Sequence, residues 1–305
     1  MEQHRESAKK LLERNRVGVL LRMFARDKAS IDPQITSLFH AIDRLIEIND
    51  AGIRVFARID VLVSSDQNYA DSDCGESAEQ IRERVATHYP GKNIYVSEIK
   101  KGDIYAMLLN YGVANQMEDR ISFSFTISHA LSSYITKEHI YAMLHAMYQK
   151  ARVAGLVIDE LAALTEKGRV ANTFALWHNK SLVTVGAFDL RAARPERHME
   201  HVHRVKGWSE VKAKRHGDGD VEFVRAGCEE IIPLLRMVKF FGPSIAIVKP
   251  GKAGVWREPD AVHEHESYHR HLAKLATKEI RQQHMAKLLD EDLSLLEEGV
   301  ALRIS

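Results

Sequence analysis

Cysteine is scarce: Cys74 and Cys228 are the only two in 305 residues, far apart and in no metal-ligand spacing. That excludes a disulfide framework and fits a reducing, cytoplasmic setting. Excess charge is missing too, with 43 basic residues against 42 acidic ones and a net charge of +1. The chain therefore lacks the basic footprint of a nucleic-acid binder, and no nucleic-acid partner is expected. Long apolar runs are absent. The opening MEQHRESAKKLLERNR is charged, with Leu11 and Leu12 its only large apolar residues after Met1, and does not read as a secretory leader. The best candidate span, 231–248, is broken by Arg236, Lys239, Gly242 and Pro243, so it reads as helix, turn and strand rather than a membrane crossing. Peripheral contact with a membrane is left open. No internal repeat or low-complexity tract is visible.

What is present is globular composition, 45% hydrophobic and 28% charged, on a chain long enough for a large core. Short apolar strands alternate with amphipathic helices, the pattern of a mostly parallel sheet covered on both faces. Val17 to Phe24 reads as a buried first strand, interrupted by Gly18 and Arg22. Apolar positions 35, 38, 39, 42, 45, 46 and 48 predict a helix, and Val55 to Val63 a second strand ending at Ser64-Ser65-Asp66. Further strands are expected at 94–96, 121–127 and 153–158, and helices at 78–88, from Lys101-Gly102 to about Met117, and at 137–150. From about Asp260 the charge rises and apolar residues recur at 272, 275, 280, 285, 288 and 289, predicting a long helix packed on the body. The expected organisation is a charged N-terminal helix over 1–16, a main domain over 17–258 and a C-terminal helical extension over 259–305.

Two segments carry most of the functional signal. NTFALWHNKSLVTVGAFD, 172–189, reads as strand, polar turn and strand, closing on Gly-x-Phe-Asp, where the glycine permits a tight bend and the aromatic plugs the core. GCEEIIPLLRMVKFFGPSIAIVKP, 227–250, sets two carboxylates at the start of a helix. In this order the pair resembles the inverting family 2 glycosyltransferases of the GT-A fold, in which "vGgFDe" is followed by "EDxxLxxR" and an apolar strand. The resemblance spans about residues 17 to 250. It implies a GT-A-like α/β fold and transfer of a sugar from a UDP- or GDP-linked donor to an unknown acceptor.

Roles follow from that resemblance position by position. Glu230 matches the second acid of the helix motif and is expected to act as the base that deprotonates the acceptor, with Glu229 beside it. Arg236 matches the motif's arginine, and Trp177 and Asp189 join it on the acceptor side. Asp66, closing the second strand, matches the acid that contacts the donor's base. GDIYAMLLNYGVANQ resembles the helix beneath the donor, bringing in Lys101, Gly102 and Asn110. Where the family ends a strand in Asp-x-Asp and holds Mn²⁺ or Mg²⁺, this chain reads Ser128-His129-Ala130, so the metal motif is degenerate and His129 is left to contact phosphate. That loss supports an alternative, a non-catalytic GT-A-like binding or regulatory protein.

Other metal candidates are scattered. Asp71-Ser72-Asp73 and Asp218-Gly219-Asp220 lie in polar loops, the second nearer the glutamate pair, and His198, His201 and His203 cluster between the two diagnostic segments. His265-Glu266-Ser267-Tyr268-His269 satisfies the H-E-x-x-H pattern and opens a remote alternative, a zinc-dependent hydrolase. Its charged flanks, Glu264 and Arg270, argue against it.

Overall fold

The apolar strands pair into one sheet because the central ones are buried on both faces and need helices above and below. In the computed structural model the described residues are 2–25, 28–50, 53–65, 74–100, 105–158, 162–193, 228–249, 278 and 281–305. Helix α1 (Glu2–Leu12) precedes β1 (Val17–Ala25), α2 (Lys28–Asp50), β2 (Phe56–Ser65), α3 (Cys74–His88), β3 (Ile94–Lys100), α4 (Tyr105–Glu118) and β4 (Phe123–Ser128). A 3-10 turn (His129–Tyr134) leads into α5 (Lys137–Tyr148), β5 (Val153–Leu156), α6 (Ala162–Thr165), β6 (Phe174–His178), α7 (Asn179–Thr184) and α8 (Leu190–Ala193). Then come α9 (Ile231–Phe241), β7 (Ile245–Val248), a helical stretch at 281–288, a short helix (Ser294–Glu298) and β8 (Val300–Ile304).

Among the described residues eight strands run in the order β3-β2-β1-β4-β6-β5-β7-β8, and of these only β6 is antiparallel to its neighbours. The fold is thus a mixed, mostly parallel α/β sheet with helices on both faces. Strand alternation sorts the side chains. Val17, Val19, Leu21 and Met23 face the core packed by α1, α2, α3 and α5, while Leu20 faces the core packed by α4, α7 and α9. Gly112 lets α4 lie close on that second face, since a Cβ there would meet Leu20 Cδ2 at 2.7 Å and Leu62 Cδ1 at 3.0 Å.

Two expectations change. The second half of 172–189 is not a strand: after β6 the chain turns into α7, because the His178 side chain accepts from the Ser181 backbone N–H and caps a helix that buries Leu182. Gly186 (φ 97°) and Ala187 (φ 57°) close it in left-handed geometry, with Ala187 N–H donating to Leu182 O at 2.8 Å. The C-terminal segment is not helical throughout either, since β8 pairs in parallel with β7 at the sheet edge. Ile304 is buried there while the strand alternates, which suits an edge position. Among the described residues no helix is long and apolar enough to cross a membrane.

Candidate functional site

Strand order reverses between β1 and β4: the chain builds β1, β2 and β3 outward on one side and then returns to lay β4 on the other. In open α/β sheets such a reversal leaves a crevice at the carboxyl ends of the strands where ligands bind. Arg22 lies at that point, in register with Ser128 of β4 and Leu62 of β2, and shares the α4 face with Leu20. It is only 8% exposed, and its Nη1 lies 3.9 Å from Glu229 Oε1.

Helix α9 delivers the two glutamates. It runs back against β7, so its N-terminus lies at the same carboxyl edge, and Ile231 N–H donates to Cys228 O to start the turn. Glu230 is the N-cap without capping through its side chain; Gly242 (φ 73°) and Pro243 end the helix as the sequence suggests. Glu229 is 3% exposed, and the Asn172 side-chain amide donates to its Oε1 at 2.6 Å. Glu230 is fully buried, with Lys278 Nζ 2.7 Å from its Oε1. Burial raises the Glu230 carboxyl above its usual range, opposed by the Lys278 charge. Burial pulls the Lys278 ammonium down, but the Glu230 and Glu229 carboxylates outweigh it and leave it above its ordinary value. Cys228, buried beside them, is pushed up to about 12 by burial, so it is a neutral thiol rather than a nucleophile.

Divalent cations need hard anionic oxygens. The end of β4 offers the Ser128 hydroxyl and the His129 ring, whose Nδ1 lies 3.2 Å from Ser37 Oγ on α2. Burial and the Arg22 guanidinium push His129 down to about 4, so it is neutral at ordinary pH and does not meet a phosphate as a cation. A neutral imidazole and a hydroxyl beside a guanidinium do not fit Mg²⁺ or Mn²⁺. Among the described residues no group of three or more His, Cys, Asp or Glu could hold a metal ion.

The remaining expected residues divide. Asn110 brackets the Phe188 backbone, donating to its carbonyl at 2.9 Å and accepting from its N–H at 3.0 Å, so its amide fastens the Gly-x-Phe-Asp turn to α4. Phe188 plugs the core edge-on to Trp177, with ring centroids 5.1 Å apart. Trp177 is itself fully buried, its indole N–H donating to Thr126 Oγ1 at 3.2 Å, which makes it a core residue rather than an acceptor contact. Asp189 is held by Arg191 Nε and Nη2 and by the Arg191 backbone N–H, and the Arg191 hydrogen bonds keep it below the usual carboxylate range. Arg236 donates to the Val185 carbonyl at 3.2 Å and so secures the end of α7. Asp66, Lys101, Gly102, Asp71, Asp73, Asp218, Asp220, His198, His201, His203, His265 and His269 lie outside the described residues.

Three residues without an assigned role come to the glutamates: Arg22, Asn172 and Lys278. Arg22 carried a signal, a charge inside an otherwise apolar strand. Asn172 and Lys278 carried none, because only the tertiary fold brings them there.

No family model matches the chain, and no curated protein does. Among solved structures it is similar to glucosyl-3-phosphoglycerate synthase from Mycobacterium tuberculosis, solved with phosphoglyceric acid, at 13% identity over 96% of this chain and 83% of that one, TM-score 0.45. It is also similar to the mannosyltransferase PcManGT from Pyrobaculum calidifontis, in complex with GDP-Man and Mn²⁺, at 10% identity over 95% and 86%, TM-score 0.40. A cytidylyltransferase from Leptospira borgpetersenii matches at 12% identity over 56% of this chain, TM-score 0.36, and the chain spans 63% of that protein. At these scores the likenesses do not decide a reaction.

Proposed function

We propose that the crevice between β1 and β4 binds a UDP- or GDP-linked sugar and that the protein transfers the sugar, with inversion, to an acceptor hydroxyl. The observation that carries this is a fixed carboxylate, Glu229, beside a buried cation, Arg22, at the carboxyl-end reversal of a mostly parallel sheet. In the transfer, the acceptor oxygen bonds to the anomeric carbon and the bond from that carbon to the diphosphate oxygen breaks, its electron pair leaving with the diphosphate. A carboxylate takes the acceptor's proton.

Glu229 suits the base role better than Glu230. Asn172 orients one of its oxygens and Arg22 of β1 lies within ion-pair range of it, whereas Glu230 is fully buried and engaged by Lys278. Asp66, next after the last residue of β2, is assigned to the donor's base. A second reading, a non-catalytic nucleotide-binding relative, is favoured by Ser128-His129-Ala130 at the strand end.

Titration of UDP and GDP by calorimetry tests the donor assignment. We expect binding that Asp66→Ala weakens about tenfold, on the scale of one lost hydrogen bond to a charged group. No binding of either nucleotide at millimolar concentration would sink both readings. Binding with no transfer by wild type across a broad acceptor panel would favour the second.

A further inference from the structure

We infer that the crevice neutralises the donor's diphosphate with the fixed charge of Arg22 rather than with a divalent cation. This rests on the nucleotide-sugar reading and adds to it the identity of the cation.

Position comes first. Arg22 stands in the strand next to the reversal, opposite Ser128, the residue that opens the degenerate metal triplet. A metal held by an Asp-x-Asp pair at that strand end would lie beside the strand position that carries the guanidinium, and like charges on neighbouring positions disfavour each other. The replacement of both carboxylates by Ser128 and Ala130, with a neutral His129 between them, matches the presence of a permanent cation one strand away.

Burial points the same way. A guanidinium only 8% exposed within an apolar strand is costly unless anions compensate it. Glu229 supplies one, 3.9 Å away and so within ion-pair range. The planar fork of N–H donors matches phosphate oxygens, and its charge does not depend on pH. The same edge also receives the N-terminus of α9, whose partial positive charge favours an anion there. As the diphosphate leaves and its charge grows, Arg22 meets that charge while the acceptor's proton passes to Glu229. No metal enters the step.

The test is calorimetry of UDP and GDP into the full chain, in EDTA and then in Mn²⁺, for wild type, Arg22→Lys and Arg22→Met, with thermal melts to confirm folding. We expect wild-type affinity in EDTA to equal that in Mn²⁺ within about twofold, Arg22→Met to weaken it about tenfold or more, and Arg22→Lys to fall between, since lysine keeps the charge but not the fork. Wild-type binding that appears only with Mn²⁺ would overturn this inference and leave the nucleotide-sugar reading standing. Chelator-resistant binding unchanged in Arg22→Lys and Arg22→Met would reduce Arg22 to a counter-ion of Glu229 and equally overturn it. No binding in either buffer would remove the nucleotide-sugar reading itself. The wild-type comparison decides the metal question even where Arg22→Met fails to fold.

Discussion

Asn172 and Arg22 reach Glu229, while Lys278 reaches Glu230, so the two neighbouring carboxylates respond differently to the same substitution. Glu229→Gln keeps an oxygen that accepts from Asn172 but removes the proton acceptor, so transfer should fall about 10²- to 10⁴-fold with little loss of stability. Glu230→Gln leaves a buried ammonium without its carboxylate, which costs about 3–5 kcal/mol. Denaturant midpoints and single-turnover transfer at matched folded fraction separate the two. A stable but inactive Glu230→Gln beside an active Glu229→Gln would reverse the assignment. The motif made the pair legible as a catalytic candidate, but nothing in it told which glutamate an ammonium occupies. That depends on Lys278, forty-eight positions away in the sequence.

Histidine gives a second test at this scale. Burial, with help from Arg152 and Lys180, pushes His178 from 6.5 down to about 4. The unfolded chain therefore takes up this proton first as the pH falls. The resulting stability is fully present above about 6.5 and is lost as the pH drops toward about 4. Asn caps a helix without titrating in this range. The thermal midpoint of His178→Asn should fall less steeply than that of wild type between these pH values. Equal slopes would remove His178 from the pH dependence.

At the scale of elements, periodicity located strands and helices wherever the pattern was continuous. It placed β1, β2, β4, β5, α5 and α9 with its following strand to within a few residues, because each is a nearly unbroken apolar run, an alternating apolar run as in β4, or a clear helical stripe. It failed at α7, where Val183, Thr184 and Val185 favour a strand by propensity but the His178 cap and burial of Leu182 enforce a helix. The C-terminal strand was hidden for a different reason: β8 is an edge strand of alternating burial behind a charged helical stretch, and only its pairing with β7 defines it. A tight contact anchors this region. Gly168 has φ 77°, and a Cβ there would collide with the Leu296 carbonyl of the short helix before β8. Gly168→Ala should destabilise the protein by about 1–3 kcal/mol in urea unfolding, through backbone strain. A neutral substitution would mean that this helix is not fastened at Gly168.

For the whole molecule, the alternation of strands and helices points to a mostly parallel sheet, and the sheet's order then marks the reversal at which such sheets bind ligands. Strand order cannot be read from local sequence, since pairing is a long-range choice. The site was accordingly legible in its residue types but not in its assembly: Arg22 stood out as an interruption in β1, yet its placement opposite Ser128 required the β1–β4 pairing. The proposed function requires a nucleoside diphosphate to occupy this reversal. Its most direct test is a crystal structure of the protein grown with GDP or UDP. We expect a diphosphate between the carboxyl ends of β1 and β4, with its oxygens within about 3 Å of the Arg22 guanidinium. A nucleotide seated elsewhere on the molecule, with Arg22 untouched, would contradict it.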